Sequence, residues 1–201
     1  MKKLIFSFLT LCCLNIAYSQ TNTNPLLNDT QLSEAVNKFN DLVQMVNIAN
    51  NDDSVAISNL EAQINNISTD LTQADYNIEL VRIMKLPQGY DVLSILQNFR
   101  SDILLLKDKY QGDFTNANIE NSLAETNRIA PYQGTGGRHL YIDCTHPYSN
   151  LLCIGAVGAA ASIAASACSA GTLLLGIPAC LAGTLIIAAA GMNECHRTWC
   201  N

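Results

Sequence analysis

Two patterns of apolar and polar positions divide the chain. From Thr30 to Gln111, apolar residues recur in alternating steps of four and three. The first run is Leu32, Val36, Phe39, Val43 and Val46; the second is Ile57, Leu60, Ile64, Ile67, Leu71, Ala74, Ile78 and Val81; the third is Val92, Leu96, Phe99, Ile103, Leu106 and Tyr110. This heptad spacing predicts helices with one apolar seam each. Asn50 to Asp53 and Leu86-Pro87-Gln88-Gly89 separate the runs, and connections this short predict antiparallel neighbours. The expectation is an all-α fold that opens with an antiparallel three-helix coiled coil. Its second helix runs unbroken from Ile57 to Val81, with Ile64 and Leu71 in the seam and Asn66 outside it.

The second pattern, from Leu151 to Met192, has no alternation. It is built almost wholly of Ala, Gly, Leu, Ile, Ser and Cys, and no Asp, Glu, Lys or Arg stands between Asp143 and Glu194. Ala and Leu favour helix over strand. One arm is expected from about Asn150 to Ser169, with Gly171 as its stop. A second runs from about Pro178, a good first-turn residue, to Asn193. Gly155, Gly158, Ala161, Ser162, Ala165 and Gly183 permit close backbone approach, in lipid or in a dry core. The apolar bulk expected to meet a membrane lies at Leu151, Leu152, Ile154, Ile163, Leu173, Leu174, Leu175, Leu185, Ile186 and Ile187. Each arm approaches the roughly 20 residues a bilayer core requires. Each acidic helix offers one apolar seam and needs it for its neighbours, so a first arm apolar all round favours lipid over a packed core.

Cysteine placement sharpens this picture. Cys153 and Cys168 are fifteen positions apart, as are Cys180 and Cys195, with Cys144 and Cys200 just outside. Folding the segment about position 174 sets Cys168 against Cys180, Cys153 against Cys195 and Cys144 against Cys200. Six cysteines allow fifteen connectivities, and the symmetric spacing favours this nested one, a helical hairpin stapled by disulfides.

Charge separates the halves. From Asp29 to Glu125 there are fifteen acids and six bases, net −9; from Arg138 onward the formal charges Arg138, Asp143, Glu194 and Arg197 cancel. Without a basic patch interleaved with aromatics, nucleic acid is not an expected partner. Residues 1–19 carry Lys2 and Lys3, an apolar run, then Ala17-Tyr18-Ser19, which predicts an export signal cleaved after Ser19. Cys12 and Cys13 leave with it, so the mature chain keeps six cysteines in a disulfide-permissive setting, secreted or in the cell envelope. An uncleaved N-terminal anchor is the other reading of this segment. The expected organisation is a signal (1–19), an acidic helical coiled coil (20–111), a flexible connector (112–143) with a short helix around Asn118 to Arg128, and the cysteine-rich hairpin (144–201). The connector ends in Pro131 to Gly137, and cleavage after Gly136-Gly137 would release a 64-residue tail starting at Arg138.

Candidate chemistry is sparse. His146 near Cys144, and His196 near Cys195 and Cys200, are zinc-ligand types, but C-x2-C pairs are absent and export favours disulfides. A cysteine nucleophile served by His139, His146 or His196 needs a free thiol, which an even count does not leave. Gly134-Thr135-Gly136-Gly137 lacks the lysine of a phosphate loop. Neither an enzyme nor a bound cofactor or metal is expected.

The runs CSAGTLLLGIPACLAGTLIIAAAG (168–191) and ECHRTWCN (194–201) resemble the cysteine-rich C-terminal domain of halocin C8-like bacteriocins, over about the last 58 residues. Precursors of that family join a signal and an N-terminal protein region to a small, hydrophobic, disulfide-rich killing peptide. The resemblance implies a target-cell membrane as partner and an acidic region acting as leader, solubiliser or self-immunity module. It also leaves room for a separate immunity protein or coiled-coil partner. A reading from another class is a non-toxic envelope protein with an interaction rod and a hydrophobic anchor.

Overall fold

The computed structural model of the chain describes residues 24–27, 29–68, 70–129, 144, 146–168 and 176–200. The signal expected at 1–19 with Ser19, the glycines Gly136 and Gly137, and Leu173, Leu174 and Leu175 lie outside them. The described residues form seven α-helices: α1 (Thr30–Ala49), α2 (Ser54–Asn65), α3 (Gln73–Ile83), α4 (Val92–Tyr110), α5 (Asn116–Ile129), α6 (Pro147–Ala167) and α7 (Gly176–Trp199). A 3-10 turn, Gln111–Asp113, joins α4 to α5.

Short polar side chains start the first four helices by accepting otherwise unpaired amide protons. Asp29 caps α1 at the Leu32 amide, Asp53 caps α2 at Val55 and Ala56, Thr72 caps α3 at Asp75, and Asp91 caps α4 at Ser94. The corner between α1 and α2 turns through Asn51 and Asp52, with φ of 58° and 54°. Asn and Asp tolerate this left-handed region better than other side chains.

The fold is not a three-helix coiled coil. The second run of apolar residues is two helices, because residues 66–68 and 70–72 leave the helical path. The Ser68 hydroxyl accepts from the Asp70 amide at 3.3 Å and Thr72 Oγ1 from the Asp75 amide at 3.2 Å. Local bonds of this kind compete with helix, and the four-three spacing continued across them by coincidence. Ile57, Leu60 and Ile64 are buried, whereas Ile67 and Leu71 fall in the break and are half-buried. Beyond it Tyr76, Leu80 and Ile83 face inward and Ile78 is 62% exposed.

A second correction concerns α1. Its buried positions form two stripes. Ala35, Phe39, Leu42 and Val46 make one, and the Phe39 ring stacks on Phe99 of α4 at 4.4 Å and 17°. Val36, Asn40, Val43 and Asn47 make the other, about 100° away around the helix. The acidic half therefore does have a face to spare, and α6 and α7 occupy it. The two helices pack on each other, and between them also contact α1, α2, α4 and α5. The helix α5 docks through Ile119 and Leu123, and its buried Ser122 hydroxyl donates to the Leu26 carbonyl. Leu26 is buried too, so residues 24–27 form a strap over this end.

Candidate functional site: the stapled apolar hairpin

Pro147 opens α6 in its first turn, where the missing amide proton costs nothing, and Ala-rich sequence carries the helix to Ala167. Pro178 likewise lies in the first turn of α7. Three hydroxyls in this apolar surrounding bond back to their own helix: Ser162 to Gly158 O at 2.8 Å, Ser166 to Ile163 O at 2.8 Å and Thr184 to Cys180 O at 3.0 Å. They add no polar demand on neighbours. The arms approach closely at Gly191, where a Cβ would sit 3.0 Å from Val157 Cγ2. At Gly158 a Cβ would meet Val36 of α1 at 3.0 Å and Leu123 of α5 at 3.3 Å, so this glycine seats the hairpin against the other helices.

The six cysteines from Cys144 to Cys200 are paired: Cys144 with Cys200, Cys153 with Cys195, and Cys168 with Cys180, the nested order. The open end is further tied by the His146 amide, which donates to the Trp199 carbonyl at 3.0 Å, and by the edge-on packing of the two rings. Ligand atoms of Cys144, His196 and Cys200 lie within 4.8 Å of one another, the arrangement of a weak metal cluster. Both sulfurs are spent on each other in the disulfide, which takes away the thiolates zinc requires.

Helices 149–167 and 176–199 are each long and apolar enough to cross a membrane, and half of an 18-residue apolar stretch in each is buried inside the protein. Of the apolar positions singled out from sequence, Leu151, Ile154, Leu185 and Ile186 are buried, Leu152 and Ile163 are half-buried, and Ile187 is 62% exposed. Burial of Ile154 and Ile163 belongs to the core that also holds Leu123 and Val36.

Sequence reasoning missed the contacts that fasten the hairpin. Arg100 Nε of α4 donates to the Cys168 carbonyl at 2.9 Å, Asn193 Nδ2 to the Asp52 carbonyl at 2.8 Å, and Asn47 Nδ2 to the Ala189 carbonyl at 3.2 Å. It missed also the buried amides of α1, Asn40, Gln44 and Asn47, of which Asn47 meets the hairpin at Ala189; Asn40 Oδ1, Gln44 Nε2 and Asn47 Oδ1 have no hydrogen-bond partner among the described residues. A buried polar group left so costs about 1–3 kcal/mol. The available signal was an amide at positions 40, 44 and 47 of an otherwise apolar helical face. On α5, which packs on α6, burial pushes the Glu120 carboxyl above its ordinary pKa.

Two open depressions, of about 370 and 250 Å3, lie beside Asp29 and Lys109 and beside Glu79 and Arg82, both away from α6 and α7. No protein-family model matches the chain, and comparisons with curated proteins and with solved structures find no relative.

Proposed function

We propose that the chain is an exported, bacteriocin-like antimicrobial precursor whose disulfide-closed hairpin acts on the membranes of competing cells. The observation that carries this reading is the pair of helices 149–167 and 176–199, each long and apolar enough to span a bilayer and covalently tied to the other. With no formal charge between Asp143 and Glu194, the hairpin partitions by apolar area rather than by attraction to anionic lipid. At about 25 cal/mol per Å2, one exposed arm supplies a large driving force. The Cys168–Cys180 bond adds support for export ahead of insertion. A hairpin threaded into the membrane directly from an export channel would leave that end in a reducing cytoplasm. The acidic helices, at net −9, keep the apolar segment soluble until it reaches lipid.

The test is dye leakage from lipid vesicles and growth inhibition of related bacteria, using the oxidised full-length chain. Leakage with inhibition is the expected result, and absence of both sinks the reading. The second reading, a non-toxic envelope protein, draws on the half-burial of both apolar helices against the acidic ones. Stable vesicle binding without leakage or killing is its signature. Intact-mass analysis of culture supernatant decides whether a tail beginning at Arg138 is released.

A further inference from the structure

The two stripes of α1 differ in kind. The stripe toward α4 is aliphatic and aromatic, anchored by the Phe39–Phe99 stack. The stripe toward the hairpin touches it at both ends, through Val36 beneath Gly158 and through Asn47 at Ala189. Between these ends lies Asn40, 3% exposed, with Gln44 beside it. The hairpin has little with which to answer such amides, since its carbonyls are already bonded along helices and its side chains are mostly Ala, Gly, Leu and Ile. Three buried amide atoms here consequently have no partner among the described residues. Two further fastenings, from Arg100 and Asn193, are side-chain donors to backbone carbonyls that water can replace. By contrast, α6 and α7 are joined to one another by three disulfides. The molecule therefore has a strong seam within the hairpin and a weak one between the hairpin and α1.

We infer that the lipid-binding surface is the face of the hairpin now turned to α1 and α5, and that it is uncovered when the closed hairpin leaves α1 along this amide seam. The inference rests on the membrane reading proposed above and adds its regulation. The occupant is the acyl region of an uncharged bilayer, because the face contains no ionisable side chain to select anionic headgroups. The amides act as a set point. They weaken docking enough for lipid to compete, without leaving the apolar face exposed in water.

The experiment uses the full-length oxidised chain and phosphatidylcholine vesicles. Asn40→Leu with Asn47→Leu makes the seam apolar, and the expected result is a higher urea midpoint with leakage reduced at least tenfold. Asn40→Asp places a charge in the seam, and the expected result is a lower midpoint with leakage increased severalfold. Should the Leu pair fail to fold, Asn40→Leu alone carries the same test. Leu variants that leak as fast as an active wild type overturn the seam while leaving the membrane reading intact. A wild type that neither binds nor permeabilises vesicles overturns both.

Discussion

Asp29 joins the two ends of the acidic helices, and its removal gives a worked magnitude. Its Oδ1 accepts from the Leu32 amide at 3.1 Å and so caps α1; its Oδ2 accepts from Lys109 at 2.9 Å and from the Tyr110 hydroxyl at the end of α4. The Asp29 side chain is only 6% exposed, against 56% for Lys109. Burial alone would raise its carboxyl, but the hydrogen bonds from Tyr110, Lys109 and the Leu32 amide outweigh it and hold the pKa below the ordinary aspartate value. Loss of the cap costs about 1 kcal/mol, and loss of a hydrogen bond to a charged group about 1.5–3 kcal/mol. The exposed Lys109 adds under about 1 kcal/mol. Asp29→Ala is thus expected to destabilise by about 2.5–5 kcal/mol, and Asp29→Asn, which keeps an oxygen for the cap, by about half as much. Because the folded-state pKa is depressed, this stabilisation is fully present above the unfolded value of about 3.9 and is lost as pH falls through the folded value. In urea unfolding followed by circular dichroism, the gap between wild type and Asp29→Asn should hold from pH 7 to about 5 and close as pH falls through the depressed folded-state value. A gap that persists at low pH, or no gap at pH 7, would refute the assignment of charge to this contact.

Leu60→Ala is expected to cost about 2–5 kcal/mol and Ile78→Ala under about 1 kcal/mol, since Leu60 is fully buried and Ile78 largely exposed; similar losses in thermal melts would restore the unbroken seam. Removing Cys153–Cys195, which closes 42 residues, as the Ala pair should cost about 3–4 kcal/mol, the lower end because Cys168–Cys180 already shortens the loop. A change in melting temperature below about 3 °C would show that the bond constrains little. Gly191→Leu should lose about 1–3 kcal/mol by crowding Val157 and regain part of it with Val157→Ala; independent effects would place the arms farther apart.

The helices were legible wherever local periodicity matched tertiary burial. Leu32 to Val46 and Val92 to Tyr110 read correctly because their apolar residues are those the core uses. The four-three rhythm across Ile67 and Leu71 misled because spacing carries no record of whether the intervening residues stay helical. Asn65, Asn66, Ser68, Asp70 and Thr72 were the local signal against it, as residues that favour caps and turns. The two-faced character of α1 was visible as Ala35 and Leu42 alongside the expected seam, but which partner takes each face is a tertiary fact. The hairpin was legible for a different reason: its composition excludes alternatives and its cysteine spacing is symmetric. Its fastening by Arg100, Asn193 and Asn47 was not, because a side chain donating to a distant backbone carbonyl leaves no sequence pattern.

On the membrane reading proposed above, docking on the acidic helices and insertion into lipid would be competing equilibria, since one apolar face cannot meet α1 and acyl chains at once. Lipid that binds only the undocked hairpin draws the population by mass action, and apparent lipid affinity falls in proportion to the undocked fraction. The disulfides decide what undocking requires. With Cys144–Cys200, Cys153–Cys195 and Cys168–Cys180 closed, the arms leave as one piece, and the seam to the remaining helices is the main contact broken. With them reduced, two separate helices must also be ordered against each other, at a cost in conformational entropy of about 1–2 kcal/mol for each residue whose backbone has to be fixed again. Covalent closure and a deliberately poor interface thus serve the same end. On that reading the first would keep the hairpin intact once released, and the buried amides of Asn40, Gln44 and Asn47 would keep it releasable.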